Sequence, residues 1–286
     1  MISAADLIIN PDGSIYHLQL LPDEVAELIF TVGDPERVPE VSKYFDEIEL
    51  ARAHREMVTH TGYIGKKRVS VISTGMGTDN IDIVMNELDA LFNIDFISRT
   101  PKKELKQLTF IRLGTSGSIQ KDIPIDSLLI SEKAVGFDSL MNYYPHRAPD
   151  EVFEKAVADF VRISQIQVTP YTTAATTELV GIFNDFPKGI TISAPGFYAP
   201  QGRMLRAAPA KPDLVQVLTE FRYQHYRFTN LEMETAGIYA LASLLGHRCL
   251  SVNAILANRV EGTFSSNPQK TVQSMIEKVL ERVEKL

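Results

Sequence analysis

The sequence contains no tryptophan and only one cysteine, Cys249, in 286 residues. A single thiol cannot close an internal disulfide, and a Cys-based zinc site is excluded. Positive charge is also short: 29 Lys plus Arg stand against 36 Asp plus Glu, a formal net charge of −7. General nucleic-acid binding and polybasic membrane contact both draw on a basic surface, so neither nucleic acid nor membrane is an expected partner. No stretch approaches the roughly 18 consecutive apolar residues that a membrane-spanning helix needs. The opening MISAADLIINPDGS has neither a basic start nor a long apolar run, so no signal peptide is read and the expected location is cytoplasmic. The six histidines show no H-E-x-x-H spacing, which gives metal-dependent hydrolysis little support. Internal repeats, low-complexity tracts and long linkers are missing as well. The expectation is therefore one domain over residues 1–286. What is present is a 44% hydrophobic fraction with 8% aromatics, enough for a sizeable core and too much for a disordered chain.

Short apolar runs alternate with longer amphipathic stretches along the chain. Strands are expected at Glu27–Val32, Glu56–Tyr63, Lys67–Ser73, Phe110–Leu113, Ser127–Val135 and Cys249–Leu256. Helices are expected at Asp79–Phe92, from the spacing of Ile83, Val84, Leu88 and Leu91, and at Asp150–Val161, Asp213–Tyr223, Glu232–Leu245 and Pro268–Lys285. Gly246 suits the residue just past a helix, and Pro268 suits the start of one. This alternation predicts an α/β fold around a largely buried mixed sheet. Ligands of such folds bind beyond the C-terminal ends of strands, where Gly33, Gly75, Gly114 and Asn258 are placed.

Several segments carry more specific chemistry. Gly33-Asp34-Pro35-Glu36-Arg37 follows a strand directly. Glycine lets backbone N–H groups approach an anion, and Arg37 supplies a planar, permanent charge; the plain alternative is a strand-to-helix turn with a surface arginine. Arg112 is more telling, because it interrupts an apolar strand where an unpaired charge is costly. The expected loop Gly114-Thr115-Ser116-Gly117 after it offers hydroxyls and backbone donors. Ser73-Thr74-Gly75-Met76-Gly77-Thr78-Asp79-Asn80 lacks the third glycine of a dinucleotide fingerprint. Asn230-Leu231-Glu232-Met233-Glu234-Thr235 reads as a helix start, with Thr229 and Glu232 at capping-box spacing. Glu234 is left over from that cap, and could grip vicinal hydroxyls. Gly196-Phe197-Tyr198-Ala199-Pro200-Gln201-Gly202-Arg203 combines an aromatic ring, an amide and a guanidinium, a set that suits a planar heterocycle.

The ordered series GDPERV, AHREM, STGMG, RLGTSG, GFYAPQGR, NLEMET and ANR resembles the nucleoside phosphorylase-I family over nearly the whole chain, from Tyr16 to Arg259. The resemblance implies a single-domain, three-layer α/β sandwich with a mixed, partly barrel-like central sheet flanked by helices. It implies that Gly33, Arg37, Arg112 and Thr115 bind phosphate, and that Arg55 reaches into a neighbouring subunit's phosphate site. His17 would cross the same interface to the ribose 5′-hydroxyl. Thr115, Met233 and Glu234 would hold the ribose, with Glu232 beside them. Phe197, Gln201 and Arg203 would bind the base, supported by Arg259. The catalytic set would be Arg112, Gln201, Arg203 and Glu234. No cofactor is implied; inorganic phosphate is a co-substrate. A homodimer would be the minimal unit, with a hexamer built as a trimer of dimers the larger assembly. Relatives that bind a monovalent cation use a Glu, a backbone carbonyl and a Ser. Glu56 and Met76 match, but Asn80 replaces the Ser, so no metal is expected. Residues 93–108 are longer than the family's usual connection.

The choice within the family follows from leaving-group chemistry. Purine-cleaving members carry an Asp after the last strand to protonate the base, and here that place reads Asn258-Arg259. A uracil anion needs donors at its two carbonyls rather than an acid. Gln201 can donate to one carbonyl while accepting from N3–H, and Arg203 can donate to the other. The expected reaction is reversible phosphorolysis of uridine to uracil and ribose 1-phosphate, a pentosyl transfer of pyrimidine salvage. The rivals are a purine phosphorylase or nucleosidase of the same family, and a non-catalytic nucleoside-binding protein on the same fold.

Overall fold

The structure, a computed structural model, describes all 286 residues. Its first strand, β1 (Leu28–Val32), is buried along its whole length. Ile29 faces one apolar cluster, while Leu28, Phe30 and Val32 face another on the opposite side. A strand covered on both faces reads as a continuous apolar run, which is why LIFTV has no polar alternation. After α1 (Arg37–Ser42), the chain makes three antiparallel strands: β2 (Glu47–His54), β3 (Met57–Ile64) and β4 (Lys67–Ser73). Then follow α2 (Thr78–Asn93), a small hairpin of β5 (Ile94–Asp95) and β6 (Thr100–Pro101), β7 (Thr109–Ser118) and β8 (Leu128–Gly136). The next elements are α3 (Glu151–Ile163), β9 (Tyr171–Ala174), α4 (Thr177–Ile182), β10 (Lys188–Ser193), α5 (Leu214–Leu218) and β11 (Phe228–Glu232). The chain finishes with α6 (Thr235–Leu245), β12 (Arg248–Asn258), β13 (Thr263–Phe264) and α7 (Pro268–Leu280).

The main sheet has 11 strands and runs β13-β12-β8-β10-β11-β7-β1-β4-β3-β2, with β9 beside β8. A further pairing of β12 with β7 closes β7, β11, β10, β8 and β12 into a barrel, and leaves β1 to β4 as an open wing. The fold is thus α/β with a partly barrel-like mixed sheet, as expected. Helices cover both faces. The cluster containing Ile81, Val84 and Leu88 of α2 and Tyr239 of α6 packs on one side. The cluster containing Val38 of α1, Leu179 of α4 and Met275, Ile276 and Val279 of α7 packs on the other. A third cluster, built on Phe153, Val157 and Val161 of α3, covers the outside of the barrel.

Strand β7 is shared between wing and barrel, and its neighbour changes part-way. Its pairing with β1 ends at Thr31↔Arg112, and its pairing with β11 begins only at Gly117↔Leu231. Between these points β7 keeps β12 on one side and has an open edge on the other. That fork creates the room for a ligand.

Five expectations are corrected. Gly114–Gly117 is not a loop, because β7 continues to Ser118 and draws its hydrogen bonds from β12; Gly114 therefore lies inside a strand rather than at its end. Asp213–Tyr223 is helical only at Leu214–Leu218. Glu232 ends strand β11 rather than opening a helix, and α6 begins at Thr235. The Thr229–Glu232 capping box does not form: Thr229 Oγ1 donates to the Ile190 carbonyl (2.9 Å) within the sheet. The terminal helix stops at Leu280 and a short 3₁₀ turn, Val283–Lys285, follows. Strand β2 has no apolar run to announce it, since it is an edge strand with most residues exposed or half-buried.

Helix α6 ends at Gly246 in the left-handed conformation, φ 81°, with its N–H bonded to the Ser243 carbonyl. A Cβ there meets no atom within 4 Å, so only backbone strain opposes a side chain. Gly246→Ala is expected to cost about 1 kcal/mol and to lower Tm by roughly 2–4 °C. A thermal melt with unchanged or raised Tm would contradict that conformation.

Candidate active site

A cavity of about 670 Å³ opens at the fork in β7. Gly33, Asp34 and Arg37 enter from the end of β1, Gly75 and Met76 from the end of β4, and Arg112, Thr115, Ser116 and Gly117 from β7 along and beside its open edge. Glu232, Met233 and Glu234 come from the junction of β11 and α6, and Phe197, Gln201 and Arg203 from the loop after β10.

Arg112 is only 5% exposed. Its Nη2 donates to Glu234 Oε2 at 2.5 Å and lies 3.2 Å from Glu232 Oε2. Burial alone would lower the guanidinium's pKa, but the two carboxylates outweigh it and raise it. Burial raises the Glu234 carboxyl, with Arg112 opposing. The other oxygen of Glu234 accepts from the Gly77 N–H at 2.8 Å, so this side chain joins β7, α6 and the start of α2. Arg112 Nη1 is buried without a partner and lies against Gly114, where a Cβ would come within 1.6 Å of it. Glycine at 114 is thus what lets an arginine lie along its own strand.

Arg37 reaches the same place from α1. Its Nη1 donates to the Leu113 carbonyl (3.1 Å), one of the groups left unpaired by the fork. Burial, and then repulsion from Arg112, lower its pKa. Two guanidinium groups that repel each other across a cavity, beside the Thr115 and Ser116 side chains, suit an anion.

The loop after β10 is pre-assembled. Arg203 lies over the Phe197 ring, 3.7 Å from its centroid, and its Nη1 donates to the Phe197 carbonyl (2.7 Å) and to Gln201 Oε1 (2.6 Å). Burial, followed by repulsion from Arg259, pushes the Arg203 pKa down to about 10. Arg259 does not line the cavity; its Nη1 donates to the Gln201 carbonyl (3.1 Å) and so braces the loop from behind.

His17 and Arg55 do not line this chain's cavity. They lie together on another surface: the Arg55 guanidinium sits 5.8 Å from the centroid of the Tyr16 ring, and His54 Nδ1 lies 2.8 Å from the His17 carbonyl. His17 Nδ1 is 2.5 Å from Glu87 Oε1, and that carboxylate also accepts from the His17 and Leu18 N–H groups. Arg55 has φ 53°, a left-handed turn residue, and the next residue, Glu56, points the other way into the cavity. Glu56 and Asn80 meet around Gly75, and Asn80 Nδ2 donates to the Met76 carbonyl at 3.4 Å. An amide nitrogen is a donor, so Asn80 turns toward that carbonyl the end of its side chain that cannot hold a cation.

Asn258 is fully engaged in local structure. Its Nδ2 donates to the carbonyls of Gln120 (3.0 Å) and Ile123 (3.1 Å), and its Oδ1 accepts from the N–H groups of Val260 and Glu261, both at 3.1 Å. Sequence reasoning passed over Leu231, Leu256 and Phe264, which supply apolar wall. Phe264 is 65% exposed and is delivered by the short β12–β13 hairpin; a lone aromatic in the polar stretch EGTFSSN was the available signal.

The family model described as the phosphorylase superfamily matches residues 27–286. The chain belongs to that superfamily. A uridine phosphorylase from Thermococcus kodakarensis is 32% identical over 265 residues, covering 91% of this chain and 83% of that protein. One from Haemophilus influenzae is 27% identical, covering 92% and 96%. A DeoD-type purine nucleoside phosphorylase from Geobacillus is 29% identical, covering 93% and 96%. Among solved structures, a Trypanosoma brucei nucleoside phosphorylase described as showing uridine phosphorylase activity superposes with a TM-score of 0.89 at 29% identity, covering 98% of this chain and 100% of that one.

The close contact at Gly114 gives a direct test of the arginine's placement. Gly114→Ala is expected to displace the Arg112 side chain and weaken inorganic phosphate binding by about tenfold or more, the loss of one charge-assisted contact. Calorimetric titration with phosphate measures this, and wild-type affinity in the variant would refute the placement.

Proposed function

We propose that this chain catalyses reversible phosphorolysis of uridine to uracil and ribose 1-phosphate. The observation that carries the reading is the convergence of Arg37, Arg112 and Glu234 on one cavity whose rim is the Phe197–Gln201–Arg203 set. Phosphate lies on the two arginines and Thr115, with Gly33 leaving room for its approach. Glu234, Met233 and Thr115 hold the ribose. The base stacks near Phe197 and meets Gln201 and Arg203. The C1′–N1 bond breaks first, leaving an oxocarbenium-like ribosyl group, and a phosphate oxygen then forms the new bond to C1′. The electron pair departs onto uracil, whose carbonyls face N–H donors. With Gln201 Oε1 already accepting from Arg203, the Gln201 amide nitrogen and the remaining guanidinium protons are the donors on offer. Positioning and electrostatics supply the acceleration, with no cofactor in the scheme.

The purine alternative has support from the DeoD-type relatives. Against it stands Asn258, which is amide rather than acid and is spent on four backbone groups. We further propose that residues 1–286 act as one domain, since one continuous sheet links wing and barrel, and that the enzyme works in the cytoplasm. No helix is long and apolar enough to cross a membrane. Finally, we propose a homodimer as the minimal unit, with a trimer of dimers as the larger assembly. The Tyr16–His17–Arg55 surface supports this, because its cationic and imidazole groups lie away from their own cavity, where they can complete another chain's.

Uracil release from uridine is expected to require phosphate. In a panel of nucleosides, uridine should exceed cytidine by on the order of a thousandfold, from two unpaired buried groups at about 1–3 kcal/mol each, and should also exceed inosine. Comparable release without phosphate, or equal cleavage of inosine, would overturn the assignment. For the shared site, mixing an Arg55→Ala chain with an Arg203→Ala chain should restore activity, because one site of each heterodimer then carries neither defect. Failure of rescue, once subunit exchange is verified by mass spectrometry, would rule the sharing out.

A further inference from the structure

Glu232 has no role in the scheme above, yet it is 4% exposed and lies at the cavity floor. Its Oε2 accepts from the N–H groups of Glu234 (3.0 Å) and Thr235 (2.9 Å) and from Thr235 Oγ1 (2.9 Å). Its Oε1 accepts from Ser193 Oγ (2.5 Å), and Ser193 Oγ in turn accepts from the Ala236 N–H (2.8 Å). The carboxylate therefore closes the N-terminus of α6 from the end of the preceding strand. The seat is braced from inside the barrel, where Thr235 Oγ1 lies 3.0 Å from Ser251 Oγ and Asn253 Nδ2 reaches both Ser251 and Ser131. From this seat Glu232 faces Arg112 Nη2 at 3.2 Å, on the same nitrogen that Glu234 holds.

We propose that Glu232 is a positioning residue that fixes Arg112 and the backbone of Glu234 as one unit and sets how much of the Arg112 charge is open to phosphate. Arg37 and Arg112 bring two positive charges to the cavity floor; Glu232 and Glu234 bring two negative ones. Asp34 also lines the cavity beside Arg37, so the floor carries no net positive charge before phosphate arrives. A dianion must then compete with both carboxylates for Arg112. Tight phosphate binding is sacrificed for a guanidinium held in one place, which favours turnover over ground-state binding. The proposal rests on the phosphorolysis reading for its link to turnover, but not for its effect on phosphate affinity.

Glu232→Gln keeps the side chain's shape and can still accept from the α6 N–H groups, while removing one negative charge. Phosphate affinity, measured by calorimetry without nucleoside, should tighten roughly three- to tenfold as one competitor for Arg112 loses its charge. In uridine phosphorolysis the KM for phosphate should fall with it, and kcat should fall at least tenfold. A role confined to helix capping predicts lower Tm with phosphate affinity unchanged or weakened, and that result would overturn the proposal. Should the glutamine variant not fold, Thr235→Val removes one donor from the seat and leaves the charge. It should lower kcat at least threefold with phosphate affinity within twofold of wild type; wild-type kcat there would also overturn the proposal. A wild-type protein that releases no uracil, while Glu232→Gln still tightens phosphate, would refute uridine phosphorolysis and uphold the role of Glu232 in setting the charge.

Discussion

The rest of the site depends on one buried ion cluster, Arg112 with Glu232 and Glu234. A guanidinium at 5% exposure is tolerated only because two carboxylates lie within 3.2 Å of one of its nitrogens. Taking away one partner of such a group typically costs about 3–5 kcal/mol, since the other charge is left stranded. Each member of the cluster is rooted in a different element: Arg112 in β7, Glu232 at the end of β11, Glu234 at the start of α6 with a bond to Gly77 ahead of α2. The cluster therefore lines the cavity and is the joint between wing and barrel.

The barrel interior explains why that joint is rigid. Its inward side chains are mostly small and polar rather than aliphatic. Ser131 and Thr191 lie 2.5 Å apart, Thr191 Oγ1 donates to Asn230 Oδ1 (3.0 Å), and Asn230 Nδ2 donates to Ser116 Oγ (2.9 Å) at the cavity wall. Buried polar chains of this kind are costly when incomplete and specific when satisfied, because a one-residue slip in any strand would leave several groups unpaired. Within this polar network Asn253 Oδ1 is left without a partner. The apolar work is done outside, where the helices and the Phe153 cluster pack.

The cavity combines two kinds of recognition at its two ends. The floor is ionic, with charges held by other charges. The rim is planar, with the Arg203 guanidinium lying over Phe197 and sharing hydrogen bonds with Gln201. Arg259 contributes from outside by gripping the rim's backbone and, after burial, by helping to lower the Arg203 pKa. The apolar Leu231, Leu256 and Phe264 line the same cavity.

The sequence by itself determined the α/β class, the buried strand LIFTV, the helix beginning near Asp150, the stop at Gly246, and the importance of Arg112, since a charge inside an apolar strand has few physical explanations. Its ordered motifs also led to the family. Only the tertiary structure decided the rest, because the deciding contacts join residues far apart in the chain. Local spacing made Glu232 part of a helix and Gly114–Gly117 a loop. Pairing with β10 and β12 made both of them strand. Asn258 read as a choice about the leaving group, and its four backbone bonds show a residue that also holds a turn together. His17 and Arg55 read as site residues, and their place on a separate surface follows from the left-handed turn at Arg55 and the grip of Glu87 on His17. The fork in β7 has no local signature at all. It arises because β1 ends at Val32 while β7 continues to Ser118, and a strand's neighbours are set by the whole sheet.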